Sequence, residues 1–259
     1  MKKQQRFKKI RNAFVILTAA LVLIYIGIEP YFQKRVGNTT VYELILFAVC
    51  LAVLVLVFVY NSKYGKLEER YEDLRLKCED AGYYFTSREE KDIPSFLGTV
   101  EADLRYMGYK TEKDITVSDL PAELSAYKKN EFFYAVSTDR LERSDIIAYV
   151  DAVMNDVTVV NLKRKGECVI LFVCNEGDGE ALKLSKDIYR VSTSRNSRVV
   201  FTPAIAELET GRVYFPGNRI SRAQKMIVNF VMNCDFPIKE EYIGKEKLSF
   251  QLEAEKELI

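Results

Sequence analysis

The chain has 259 residues, with 38 Lys and Arg balanced by 37 Asp and Glu, and it contains no histidine. Without histidine, Ser-His-Asp and Cys-His nucleophile schemes, His-ligated zinc and phospho-histidine relays are excluded, which leaves room for a chemistry built on carboxylates, lysine or a divalent cation. Its five cysteines (Cys50, Cys78, Cys168, Cys174, Cys234) form no C-x-x-C pair and are odd in number, which argues against a disulfide framework and for thiols in a reducing compartment.

Residues 1–12 form a basic segment with six Lys and Arg and no acid. Two apolar runs follow, 13–28 (AFVILTAALVLIYIGI) and 44–59 (LILFAVCLAVLVLVFV), the second free of charge and extended by flanking residues to 41–60. At about 1.5 Å per residue, roughly 20 residues cross a bilayer core, so residues 13–60 are predicted to form a transmembrane hairpin. A signal peptide is the rival reading of the first run. No small-x-small site follows it, however, and Glu29-Pro30-Tyr31-Phe32 suits an uncleaved anchor. The connector holds only Lys34 and Arg35, whereas residues 61–80 hold five Lys and Arg. This bias predicts a multi-pass plasma-membrane protein with both termini in the cytoplasm.

Tyr64, Leu67, Tyr71, Leu74 and Cys78 then recur at helical spacing, which predicts a helical stalk over 61–81. A coiled-coil homodimer is one reading; a helix packed on its own domain is favoured, because two heptads fall short of the usual three or four.

A cytoplasmic domain is expected over 82–238. After a linker at 81–92, Pro94 opens a helix with the stripe Leu97, Val100, Leu104 and Met107, stopped by Gly108. A short helix is expected at 120–127, a strand at 132–137, and a helix capped by Ser144-Asp145 running to about Asn155. Residues 157–162 and 168–174 read as strands joined in a hairpin through Lys163-Arg164-Lys165-Gly166. Next come a helix at 180–192, a buried strand at 199–202, a turn at Thr210-Gly211 between 204–208 and 213–215, and an amphipathic helix after Asn218. The tail, 239–259, carries many charges of both signs and is expected to be solvated. The fold class expected is thus a two-helix transmembrane hairpin plus a cytoplasmic α/β (α+β) domain with a mixed sheet.

The most site-like segment is Asn175-Glu176-Gly177-Asp178-Gly179-Glu180, where an apolar strand gives way to a helix. Glu176, Asp178 and Glu180 are candidates for catalysis or for holding Mg²⁺ or Ca²⁺; alternatively, Asp178 caps the helix and the glycines make the turn. Between Lys183 and Lys225 nine basic residues face only Asp187, Glu207 and Glu209. Arg190, Arg195 and Arg198 are the candidate contacts to an anionic ligand, against the plainer reading of a solvated face.

Phe96 to Asp114, then DVTVVNLKRKGECVILFVC, a helix and RVVFTP resemble the restriction-endonuclease-like core of type IV restriction enzymes. That resemblance implies an Asp opening the second core strand and an E-x-K on the third. Asp156 matches the first and is a fourth catalytic candidate. The second falls near Phe172-Val173-Cys174, which holds neither Glu nor Lys, and 115–150 is an addition to the pattern. The functional expectation is therefore a membrane-anchored, non-enzymatic interaction module that binds a protein partner or ligand and needs no cofactor, a divalent cation at Glu176, Asp178 and Glu180 aside. A nuclease-like or nucleic-acid-binding effector tethered at the membrane is the alternative.

Overall fold

A computed structural model describes residues 2–36, 40–159, 165–194, 197–218 and 220–258. The chain divides into two units, Met1–Asp73 and Leu74–Ile259.

The first unit consists of two helices, α1 (Lys2–Val36) and most of α2 (Thr40–Glu79). Both contain a stretch long and apolar enough to cross a membrane, and none of either stretch is buried within the protein. Nothing breaks α2 between its apolar run and the charged segment beyond it. Gly65 sits inside the helix, where a Cβ would meet open space.

The second unit is an α/β domain built on an eight-stranded mixed sheet in the order β1-β8-β7-β5-β4-β3-β2, with β6 also paired to β7. The strands are β1 (Tyr84–Phe85), β2 (Lys110–Val117), β3 (Leu120–Lys128), β4 (Glu131–Leu141), β5 (Gly166–Gly177), β6 (Tyr189–Ser194), β7 (Ser197–Glu207) and β8 (Arg212–Tyr214). The helices are α3 (Ile93–Tyr106), α4 (Arg143–Val159), α5 (Gly179–Leu184), α6 (Arg222–Met226), which continues as a π-helical turn at Ile227–Val231, and α7 (Ser249–Leu258).

Helix α3 starts where the Asp92 carboxylate accepts from Ser95 N–H at 2.9 Å and ends at Gly108, whose φ of +81° a side chain would strain. Strand β2 then reverses through Ser118 and Asp119, both with positive φ, the backbone of a tight two-residue hairpin. Residues 120–127, expected as helix, are therefore strand β3. Ala, Leu and Glu favour helix locally, but Ala122, Leu124 and Ala126 are buried at alternate positions, and pairing on both sides overrides that propensity.

Strands β4 and β5 run parallel, as do β5 and β7. A parallel pair needs a crossover, which α4 supplies. The strand expected at 157–162 is thus corrected over its described part. Residues 157–159 end α4, because Ile146, Val150, Val153 and Val157 form one buried helical stripe. Residues 160–164, which hold the rest of that strand and the first half of the expected hairpin turn, lie outside the described residues. The helix expected at 180–192 shrinks to α5; Tyr189 and Val191 belong to β6, opposite Phe201 and Val199. The linker at 81–92 contains β1, and its Tyr83, Tyr84 and Arg88 are buried.

The sheet carries a core on each face. Central strand β5 shows why: Val169, Leu171 and Val173 join α3, α6 and the π turn on one side, and Cys168, Ile170, Phe172 and Cys174 join α4 and α5 on the other. Within the segment expected as a solvated tail, α7 buries Phe250 and Ala254.

One ion pair ties these pieces together. Lys186 Nζ donates to Asp80 Oδ2 at 2.8 Å, to Ala81 O at 2.8 Å and to Phe215 O at 2.7 Å. The other Asp80 oxygen accepts from Tyr84 Oη at 3.0 Å and Gly217 N–H at 3.1 Å. Both side chains are almost wholly buried. Replacing one member leaves an uncompensated charge, so Lys186→Met should lower the unfolding free energy by about 3–5 kcal/mol, with Asp80→Asn/Lys186→Met recovering part of the loss. Denaturant unfolding of the full chain in detergent, followed by circular dichroism, measures both.

Candidate functional site

The parallel strands β4, β5 and β7 end together, and this is where the Asn175–Glu180 turn lies. Glu176, Asp178 and Glu180 are all exposed. Asp178 occupies the position before α5 with extended backbone, its side chain makes no capping bond, and its N–H donates to Leu141 O at 2.9 Å. Glu180 lies 3.8 Å from Lys183. Among the described residues, no three His, Cys, Asp or Glu side chains converge as metal ligands.

The turn is held instead by Glu207, which sequence reasoning passed over. Its Oε1 accepts from Gly177 N–H at 3.0 Å, and its Oε2 accepts from Thr210 Oγ1 at 2.9 Å and Tyr214 Oη at 2.8 Å. Burial, with the Glu207 carboxylate beside it, raises the Tyr214 phenol above its ordinary pKa. The available signal was a carboxylate ending the apolar run Ala204-Ile205-Ala206, since a buried charge needs several donors.

Asp156 lies on α4 rather than at the opening of a strand, and it accepts from Tyr134 Oη of β4 at 2.6 Å. It fastens a helix to the sheet. In the order of the sheet itself, β2, β3 and β4 are successive strands; β3 contributes Glu123, which accepts from both Ser137 N–H (2.8 Å) and the Ser137 hydroxyl, and β4 reads EFFYAVSTDRL without an E-x-K. Arg190 and Arg198 are exposed on neighbouring strands β6 and β7, where Ser192 opposes Arg198, so the two arginines share a face. Arg195 lies outside the described residues.

The domain also carries a groove of about 300 Å³ between the end of α3 and the π turn. Asp103, Tyr106 and Met107 line one wall; Asn229, Phe230, Asn233, Cys234 and Asp235 line the other. The π turn leaves carbonyls without α-helical partners, and the segment after β1 satisfies them. Thr86 Oγ1 donates to Val231 O at 3.2 Å, Ser87 Oγ to Asn233 O at 2.7 Å, and Arg88 Nη2 to Phe230 O at 2.7 Å. Arg88 also pairs with Asp103. Asn233 takes a φ of +53°, which turns the chain along the groove edge. Tyr106 is 90% exposed, so the rim offers an aromatic ring to solvent.

The three cysteines of the domain's interior and groove differ in access. Burial raises the Cys168 thiol and pushes Cys174 up to about 12, where Glu207 and Glu176 add to the effect. Cys234 is also raised by burial, but Ser87 hydrogen bonds oppose the shift and the side chain reaches the groove. Iodoacetamide at pH 8 should therefore alkylate Cys234 while sparing Cys168 and Cys174 until the protein is unfolded, as read by peptide mass spectrometry.

Set against known proteins, the chain matches no family model, no curated protein and no solved structure.

Proposed function

We propose that the protein is a membrane-anchored interaction module, with the hairpin crossing the plasma membrane and the α/β domain held at its cytoplasmic face. The observation that carries this reading is the pair of unburied apolar stretches on α1 and α2. The domain closes two hydrophobic cores from its own residues, so the hairpin's apolar surface is left for lipid. Six Lys and Arg before the first run and five within 61–80, against two in the connector, favour both termini inside. Binding rather than turnover fits the carboxylates of the strand-end turn, which are dispersed on the surface instead of facing a nucleophile or base.

The full chain should stay in the membrane pellet after an alkaline carbonate wash, and a C-terminal tag should resist protease in intact cells or spheroplasts. Extraction by carbonate would sink the anchor, and digestion of the tag would reverse the orientation.

A second reading, a nucleic-acid-binding effector at the membrane, is favoured by one observation, the shared exposed face of Arg190 and Arg198. It requires retention of DNA or RNA that weakens with salt. Arg190→Glu/Arg198→Glu should then reduce binding at least tenfold in an electrophoretic shift at low ionic strength, since each lost phosphate contact counts against affinity. An unchanged shift removes this reading.

A further inference from the structure

Polar side chains join α1 and α2 at one end of the hairpin. Arg11 lies over the Tyr60 ring, 4.4 Å from its centroid, and donates to Asn61 Oδ1 at 3.1 Å. It also reaches Glu68 at 3.7 Å, where Lys8 closes on the same carboxylate. Tyr60 packs against Tyr64 with ring centroids 5.3 Å apart. In a hairpin whose apolar side chains are mostly exposed, Tyr60 is only 6% exposed, and its hydroxyl is buried without a hydrogen-bond partner.

Two features of this cluster call for an anionic acceptor. A buried hydroxyl left unpaired costs about 1–3 kcal/mol, a cost that a ligand oxygen would remove. Cations are also in excess, because Lys8, Lys9, Arg11, Lys63, Lys66 and Arg70 share this end with Glu68, Glu69 and Glu72. The cluster begins at the residue after Val59, the last of the charge-free run. A lipid whose tails cover that run would bring its headgroup to the level of Tyr60 and Arg11.

We propose that this end of the hairpin is a binding site for the phosphate of an anionic phospholipid. Arg11 and Lys8 supply the charge, Glu68 holds both in place, and the Tyr60 hydroxyl donates to a phosphate oxygen. Arginine suits this role because its planar fork can keep one donor on Asn61 while offering others to phosphate. A zwitterionic headgroup brings the same phosphate with a cancelling ammonium, so net charge sets the preference. The site rests on the membrane reading above, but it is tested separately.

The test uses the full chain purified in detergent, with thermal unfolding and lipid retention by native mass spectrometry as readouts. Phosphatidylglycerol should raise the unfolding temperature by several degrees and stay bound, while phosphatidylcholine and inorganic phosphate at equal concentration should do neither. Tyr60→Phe removes only the hydroxyl, and Arg11→Gln removes the guanidinium with its charge; each should cut the phosphatidylglycerol shift by half or more. Both variants should remain in carbonate-washed membranes, which separates loss of the site from loss of the anchor. An equal shift with phosphatidylcholine or with inorganic phosphate overturns the proposal, as does an undiminished shift in either variant.

Discussion

The Leu74–Ile259 domain depends on a lysine that is almost wholly withdrawn from water. With three donors and three acceptors around it, Lys186 is saturated by Asp80, Ala81 and Phe215. Burial still pulls its pKa below the ordinary value, the Asp80 carboxylate offsetting only part of that desolvation. An ammonium in such surroundings tolerates no missing partner, so each segment that supplies one is fixed in place. Those segments are the end of α2, the start of β1, the loop after α5 and the chain leaving β8. Gly217 is required there, since a Cβ would stand 1.7 Å from Tyr84 Oη. Gln251 of α7 joins the same knot by donating to Asp80 O at 2.8 Å and Lys77 O at 3.3 Å. A helix in the charged C-terminal segment thus becomes part of the fold, through amide groups that no charge count reveals.

Features encoded within one turn or one periodic stripe were legible in the sequence. The two apolar runs, α3 with Pro94 and Gly108, and the β7–β8 turn at Thr210-Gly211 each carry a local signal that tertiary contacts do not contradict. Misreadings fell where the decisive partner is distant. Residues 120–127 have helical composition, and only pairing with both β2 and β4 makes them a strand. Ala181, Leu184, Ile188 and Val191 recur at helical spacing, whereas Tyr189 and Val191 alone have the spacing of a strand, and pairing with β7 decides between the two. The β4-α4-β5 crossover is the clearest case. Val157, Thr158 and Val159 are all β-branched, and they still complete a helix because β5 must run parallel to β4.

The site was legible in outline at the strand ends and invisible at the groove. Glycines and carboxylates announced the Asn175–Glu180 turn, but its organising residue is Glu207, thirty positions from Gly177. The groove arises because Thr86, Ser87 and Arg88 meet carbonyls of residues 230–233, more than 140 positions away. A π turn has no compositional signature of its own; Ile227–Val231 reads as an ordinary amphipathic segment. Asp156 shows the reverse error. A carboxylate placed by resemblance at the opening of a strand is accounted for by one phenol, Tyr134, on the sheet beneath it.

These differences bear on where a ligand can bind. At the carboxyl ends of β4, β5 and β7, the usual place for a site in an open α/β sheet, Glu207 has spent its oxygens on Gly177, Thr210 and Tyr214. The exposed carboxylates around it repel phosphate and lack a common focus. In the groove the backbone is equally satisfied, yet the side chains of Tyr106, Asn229 and Asn233 face open space beside Phe230. Satisfied backbone with available side chains is what a recognition surface needs, because binding then costs little reorganisation. The groove and the strand ends thus differ in kind: Arg88 binds the Phe230 carbonyl and leaves the groove's side chains uncommitted, whereas at the strand ends the one buried carboxylate is fully engaged.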